Sequence, residues 1–538
     1  MSRQSFIKGA MILAAGSLIS RAMGGVYRFV LPWIMGGGDD GAYGMALFGY
    51  PYSIYSIALS LSAAGIPLAI SKLVAEQLAL GNTRGAVRVF RVAITLLIGL
   101  GLLVSLSLYL GAGFFAERVF RNPDTYYSVV AIAPAAFFVS IKAGFRGFFQ
   151  GMQDMVPTAM SQVIEQIIRI ATMLLLASLL LPLGLHFSAA GATFGAVTGS
   201  VVGLTYLIVA QRRRQSAAWI RAESQKVDGQ ADEPAGRVVR RLADLAIPIS
   251  LTGIVLPVMR LLDAAVVPSR LQGVGFSARE ATVLFGYLDS YAMPFVNVPA
   301  IFTTALAISM VPAVAERVAL KDWEGVKFRV QAALRLTVIL GLPAAVGLFA
   351  LSSEIPYMMW RAAEAGPVLA SLAWVTVFLT LQQTSSGILQ GVGLAGLPVR
   401  HLFLAAAVKL ILTWVLSAIP ALNVGGAALA TVAGFMVASM LNLRAISRRV
   451  GPFFNLSGMV LKPLLSAGLM AAAVRLGLFL IVPHLGVRLA TIVVIGLGAA
   501  VYGLSLVLSG GIQRSDLELI PRYGDRLVGL LGRLGVMR

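Results

Sequence analysis

Residues 145–170 read FRGFFQGMQDMVPTAMSQVIEQIIRI. A polar, glycine-bearing turn breaks into a helix that is apolar except for Gln162, Glu165, Gln166 and Arg169. The apolar run is long enough to cross a bilayer, which takes about 20 residues. A charge held at mid-membrane costs roughly 2.5–3.5 kcal/mol even on the lenient insertion scale, so two of them need a reason. Glu165 and Arg169 are spaced i,i+4 and can meet on one helix face. The spacing predicts an internal ion pair or the wall of a wet cavity.

The rest of the chain is built for the same setting. Of its 538 residues 58% are hydrophobic and only 12% charged, with mean hydropathy +0.86. A soluble domain needs about a quarter of its residues charged, so this composition predicts an all-α integral membrane protein. Cysteine is absent, which excludes disulfides and thiolate metal sites. The three histidines, His186, His401 and His484, lie far apart and form no zinc cluster, so no metal is expected. The net charge of +20 is read as basic cytoplasmic loops rather than as a nucleic-acid surface. The run from Gly9 to Met35 is too long for a signal-peptide core and reads as the first spanning helix.

Fourteen spans are expected, near 8–35, 43–71, 86–114, 125–149, 155–182, 187–210, 241–268, 281–312, 325–352, 367–391, 396–420, 424–446, 455–483 and 485–510. Alternate loops then sort by charge. One side collects Arg3, Lys8, Lys72, Arg84, Arg88, Arg212 to Arg214, Arg317, Lys321, Arg444, Arg448, Arg449 and five arginines after Gly510. The other side receives far fewer, among them Arg118, Arg121, Arg270, Arg279, Arg361 and Arg488. Both termini are therefore expected in the cytoplasm of a bacterial cell, at its inner membrane. The long polar stretch 211–241 reads as a linker, and the tail beyond 510 as either an interfacial amphipathic helix or a solvated end.

The chain also repeats itself. Phe48-Gly49-Tyr50 recurs as Phe285-Gly286-Tyr287, Leu68-Ala69-Ile70-Ser71 as Leu306-Ala307-Ile308-Ser309, and Val74-Ala75-Glu76 as Val314-Ala315-Glu316. Gly147-x-x-Gln150-Gly151 recurs as Gly387-x-x-Gln390-Gly391. The offsets are 237, 238, 240 and 240, collinear over about 100 residues, which marks an internal duplication. Two pseudo-symmetric six-helix lobes in parallel repeat, plus two C-terminal helices, are the expected architecture. The boundaries are 1–210 for the first lobe, 211–240 for the linker, 241–450 for the second lobe, 451–510 for the last two helices and 511–538 for the tail. Two such lobes rocking about a shared cavity would make an alternating-access transporter.

Further charges fall inside the expected spans: Arg21, Arg28, Lys142, Arg260, Asp263, Lys409 and Arg475. Arg260 and Asp263, spaced i,i+3, form a second candidate pair. Lys142 and Arg475 are read as the blandest of the set, snorkelling or helix-bridging side chains. In the first half the balance is a surplus of positive charge, and arginine's planar fork suits phosphate oxygens. Pyrophosphate on a lipid carrier fits that chamber, with its tail left in the bilayer. The substrate-binding set is Arg21, Arg28, Arg146, Glu165, Arg169, Arg260 and Asp263, with Glu165 orienting Arg169.

RGFFQGMQDMVPTAMSQVIEQIIRI, Ser20-Arg21-x-x-Gly24, SAAGIPLAISK at 62–72 and Arg270-Leu271-x-x-x-Gly275 resemble the SpoVB/YtgP branch of the polysaccharide transporters. That branch belongs to the superfamily that also holds the multidrug MATE exporters and the MurJ-type lipid II flippases. The resemblance spans nearly the whole chain and implies fourteen helices and a flippase for undecaprenyl-pyrophosphate-linked glycans, with lipid II the first candidate. It places Arg21 on the first-helix arginine of the lipid II flippases; their second arginine falls at Tyr27, one position before Arg28. Where some relatives hold sodium, Lys409 stands amid the eleventh helix, and its ammonium is expected to replace a coupling cation. No cofactor is implied; membrane potential and ion coupling both stay open as energy sources. The partners expected are the lipid-linked glycan and membrane lipids, with the chain a monomer.

Three rival readings make different demands. A cation-coupled drug exporter on the same fold requires acidic residues to dominate the cavity. A lipid-linked glycosyltransferase requires a catalytic carboxylate on the outer face, for which Asp39 and Asp40 could be offered, and no large outer domain exists to bind an acceptor. The expectation is a non-enzyme. A scaffold without transport leaves the buried charges unexplained.

Overall fold

The computed structural model describes residues 3–60, 65–214, 233–452 and 457–511, and every regular element among them is helical. The chain divides into two compact units, Met1–Ser269 with Ser277–Gly286, and Arg270–Phe276 with Tyr287–Arg538. The first half of the chain supplies helices α1 (Arg3–Ile34), α2 (Gly38–Ser60), α3 (Ile66–Ala79), α4 (Thr83–Leu110), α5 (Tyr126–Gly151), α6 (Met155–Leu180) and α7 (Leu185–Arg214). Then come α8 (Ala235–Gly273) and α9 (Ala278–Gly286). The remainder forms α10 (Met293–Ala319), α11 (Trp323–Ala350), α12 (Glu354–Trp360), α13 (Gly366–Ala373), α14 (Val375–Gly391), α15 (Gly396–Leu416), α16 (Asn423–Val450) and α17 (Lys462–Leu508).

Where the residues are described, the expected spans fall largely on helix. Among the described residues nine helices are long and apolar enough to cross a membrane, or ten if the bent pair at Ala363–Ala373 and Val375–Gly391 is one span. Helix α17 is a single run of 47 residues that holds both final spans, broken only at Gly486 with φ 68°.

By contact the first unit extends past residue 240. Most of α8, assigned from sequence to the second lobe, packs with the first unit, tied by Arg241 to Glu76 of α3 and to Glu233. In the same unit α9 lies on α2. There Tyr50 stacks on Phe285 at 5.0 Å and on Phe120 at 4.8 Å, Asn122 donates to Thr282 at 2.9 Å, and Arg279 pairs with Asp40. The expected linker lies largely at 215–232 and the expected tail at 512–538, both outside the described residues.

The duplication is written into the backbone as well as the sequence. Left-handed residues occur at Gly81, Arg121 and Gln153 (φ 72°, 51° and 59°), and again 240 positions later at Lys321, Arg361 and Gly393 (φ 56°, 57° and 88°). The 3-10 turn Pro123–Thr125 recurs as Ala363–Ala365. Helix α4 begins with Asn82 accepting from Gly85 N at 2.7 Å, and α11 with Asp322 accepting from Gly325 N at 2.8 Å. Each is an N-cap that satisfies a first-turn donor.

Asp322 differs from Asn82 in being titratable. The Gly325 N–H bond, followed by Arg317, holds its carboxyl below the ordinary aspartate value. A depressed folded-state pKa stabilises the fold above the unfolded carboxyl's pKa, and that contribution is lost as pH falls through the folded value. Asp322→Asn is therefore expected to flatten the acid limb of a melting-temperature profile. An acid limb unchanged from the parent protein would refute the cap's role.

A stripe of small residues lets two helices of the first unit approach closely. Gly191, Gly195, Gly199 and Gly203 recur every four residues along α7, one face of a helix. A Cβ at Gly195 would stand 2.7 Å from Arg169 O, one at Gly199 2.7 Å from Glu165 O, and one at Gly203 3.3 Å from Glu165 Cβ. Without side chains in the way, α7 rides directly on the α6 backbone, the small-residue packing that membranes favour. The other face of α6 meets α1, where Ser17 donates to Gln162 Oε1 at 2.8 Å and a Cβ at Gly24 would stand 3.1 Å from Gln166 Nε2. Two neighbours thus claim the polar stripe of α6, with Gln162 and Gln166 toward α1 and Glu165 toward α7.

Candidate functional site

Glu165 is the centre of the site. Its side chain is 9% exposed, and it is the only acidic residue among the described buried ones. Three cations surround it. Lys142 Nζ and Arg169 Nη2 each reach Oε1 at 2.6 Å, and Arg146 Nη2 reaches Oε2 at 2.9 Å. Lys142 and Arg146 are one turn apart on α5, and Glu165 and Arg169 one turn apart on α6, so two i,i+4 pairs face each other across the helix pair. Both helices end or begin at the turn carrying the left-handed Gln153, which folds them back to back.

The three cations are not held alike. Lys142, 1% exposed, has a second partner in Ser200 Oγ at 3.2 Å, on α7 one residue beyond Gly199. Arg146 Nε donates to Ser161 Oγ at 3.2 Å. Arg169 bonds Glu165 through one nitrogen, and its buried Nε has no hydrogen-bond partner among the described residues. Tyr27, Tyr52 and Tyr55 lie near enough to interact with it electrostatically. Their rings run in series through Phe48, with centroids 5.9 Å apart for Tyr27–Phe48, 4.7 Å for Phe48–Tyr52 and 5.5 Å for Tyr52–Tyr55. Three positive charges against one negative leave a net of two. The cations carry many more donors than one carboxylate can accept. Chemically this is a site for an anion with several oxygens.

The structure therefore brings together Arg146, Glu165 and Arg169 of the expected set, and adds Lys142, which sequence reasoning took for a bland residue. Its spacing from Arg146 and the α7 glycine stripe were the signals available. Arg28 on α1 and Arg260 with Asp263 on α8 are half-buried on other helices of the first unit. Arg21 is on α1, and its side chain lies outside the described residues. Arg475, in the second unit, is exposed and pairs with Glu354 at 3.1 Å, in keeping with the bland reading.

Lys409 is buried on α15 of the second unit. Its surroundings repeat those of Arg169. A Cβ at Gly434 would stand 3.2 Å from Ala405 O and 3.0 Å from Lys409 Cβ, just as one at Gly199 would meet Glu165 O and Arg169 Cβ. Gly147 against Pro67 O and Gly387 against Ala307 O carry the same register into α5 and α14. Lys409 is thus the counterpart of Arg169, Ala405 of Glu165, Gln382 of Lys142 and Ser386 of Arg146. At that second place Gln382 donates to Ser386 at 3.1 Å, and Asn442 joins Ser385, Ser386 and His401. One copy of the repeat holds an ionic cluster, the other a neutral network and one lysine.

Comparison with known proteins matches the family model "Polysaccharide biosynthesis protein" to residues 6–317, more than half of the chain. The chain belongs to the polysaccharide biosynthesis protein family. A MatE model matches residues 290–441. Two curated relatives from Bacillus subtilis (strain 168) are each 28% identical. Stage V sporulation protein B aligns over 530 residues, 98% of this chain and 100% of its own length, and the lipid II flippase MurJ over 546, 97% of each. Among solved structures, a lipid II flippase MurJ in an inward closed conformation gives TM-score 0.65 at 16% identity, covering 92% of this chain and 98% of that one. An inward-facing MATE family transporter gives 0.63 at 14%, covering 79% and 98%. The family's fold is that of multi-pass membrane transporters, and the apolar helices here fit it.

Proposed function

We propose that this protein is a flippase for a lipid-linked glycan carried on a pyrophosphate, with undecaprenyl-pyrophosphate carriers, lipid II first among them, as its cargo. The observation that carries this reading is the net double positive charge buried around Glu165. Support comes from the relatives, one of which is named for lipid II flipping. In this reading Lys142 and Arg146, each with a serine as second partner, are the fixed wall. Arg169, with one bond to Glu165 and an idle Nε, is the arm that exchanges the carboxylate for a phosphate oxygen, a charge-assisted bond. Glu165 reclaims it on release. The net charge is thus low enough to be stable when empty and high enough to attract a dianion. The charge sorting of the loops supports cytoplasmic termini, and transport in this reading runs from inner to outer leaflet. Arg21, Arg28, Arg260 and Asp263 are further binding residues in this proposal, and Lys409 a built-in substitute for a coupling cation.

The MatE match favours a second reading, a cation-coupled exporter of drugs. It requires a free buried carboxylate, whereas the one buried acid among the described residues already has three cationic partners.

Native mass spectrometry of the purified protein separates the two. The parent protein is expected to carry a polyprenyl-pyrophosphate glycan. Arg169→Gln, which leaves Glu165 with two partners and the fold intact, should lower that occupancy about tenfold or more, a loss of about 1.4 kcal/mol in binding. Equal occupancy in the two proteins, or no such lipid in either, would sink the proposal.

A further inference from the structure

A cavity of about 450 Å³ opens in the second unit between α15 and α16, far along the chain from the Glu165 cluster. That volume is within the roughly 300–1,000 Å³ of ordinary ligand sites. Its polar wall is Arg444, Arg448, Arg449 and His401, and its apolar wall includes Leu394, Leu397 and Leu441. Arg444 and Arg448 are one turn apart on α16, so both guanidinium groups share a face. Among the described residues none of the three arginines has a carboxylate partner; Arg449 lies over the Trp323 ring, 5.1 Å from its centroid. Arg448 and Arg449 occupy the last turn of α16, where cations suit the helix dipole. Arg444 stands a turn earlier, so the dipole does not account for it.

His401 is set for the same job. Asn442 spends its amide nitrogen on Ser385 and Ser386, at 3.0 and 3.1 Å, so its Oδ1 accepts from His401 Nδ1 at 2.7 Å. That bond leaves Nε2 as the ring nitrogen available to the cavity. The result is a pocket with three permanent positive charges and an imidazole on one wall and leucines on the other.

We propose that this pocket binds the phosphate head group of an anionic membrane phospholipid, with the first part of an acyl chain against Leu394, Leu397 and Leu441. Guanidinium forks match phosphate oxygens, and basic pockets between spanning helices are the usual seats of acidic head groups. A soluble anion would not use the leucine wall, and a neutral lipid would not use the arginines. The site is independent of the glycan site: it is in the other unit and shares no residue with it.

The test uses the full chain in neutral detergent, with phosphatidylglycerol, phosphatidylcholine or inorganic phosphate added and retained lipid read by native mass spectrometry. The parent protein should keep phosphatidylglycerol through delipidation. Arg444→Gln with Arg448→Gln should lose it about tenfold, while Arg449 on Trp323 is left alone. Leu397→Trp, which fills the cavity and keeps every charge, should lose it as well, and it answers for the double variant if that one folds poorly. Retention unchanged in Leu397→Trp, equal retention of phosphatidylcholine, or displacement of the lipid by millimolar phosphate would each overturn the assignment.

Discussion

Glu165→Gln is expected to lose a large part of the protein's stability. Three cations would then stand together in a buried place with no counter-charge. Removing one partner of a buried ion pair costs about 3–5 kcal/mol, and here one removal takes the counter-charge from three groups. Lys142 suffers most, because it is the deepest of the three and retains only Ser200. The readouts are the yield of monodisperse protein and its melting temperature in detergent. Adding Lys142→Met to Glu165→Gln removes one charge of each sign and should recover much of the loss. A Glu165→Gln protein that melts with the parent would show that the cluster is not what the distances say. The contrast with Arg169→Gln is the informative part, since that change should spare the fold and remove binding.

The second large effect concerns a residue with no side chain. At Gly199 a Cβ would press on Glu165 O at 2.7 Å and on Arg169 Cβ at 3.0 Å, both parts of a helix that cannot yield locally. Gly199→Ala should therefore cost about 1–3 kcal/mol, as overpacking does, and Gly199→Leu more. It should also loosen the ion cluster, because Ser200 moves with it. Gly434 gives the ranking its middle rung: the nearest atoms there are at 3.0 and 3.2 Å, and a single lysine is involved. Gly25 in α1 has nothing within 4 Å of an added Cβ, so Gly25→Ala should be neutral or gain a little helix propensity. Melting temperatures that do not fall in the order Gly25, Gly434, Gly199 would dismiss the close-packing account.

What was legible in the sequence follows from how local each signal is. The Glu165–Arg169 pair is a spacing of four, visible in one helix, and the structure holds it at 2.6 Å. The duplication is a linear pattern, and the turns at 121 and 361 or 153 and 393 repeat it in the backbone. The meeting of α5 with α6 is not local. Lys142 looked like any lysine near a membrane because its partner is on the next helix and its serine on the one after. Lys409 could be seen as a buried charge, but its kinship with Arg169 needed the packing of Gly434 and Gly199 on their neighbours.

The order in which the ion cluster is synthesised has a consequence for how the protein is made. Lys142 and Arg146 on α5 leave the ribosome before Glu165 exists, so α5 alone would meet hydrocarbon with two unneutralised charges, at roughly 2.5–3.5 kcal/mol each. The insertion machinery must shelter α5 until α6 arrives. The two then pass into the bilayer as one hairpin, closed by the left-handed Gln153 and already neutralised in part. Its counterpart, α14 with α15, brings Gln382 and Ser386 in those positions, and that hairpin's leading helix can be released without waiting.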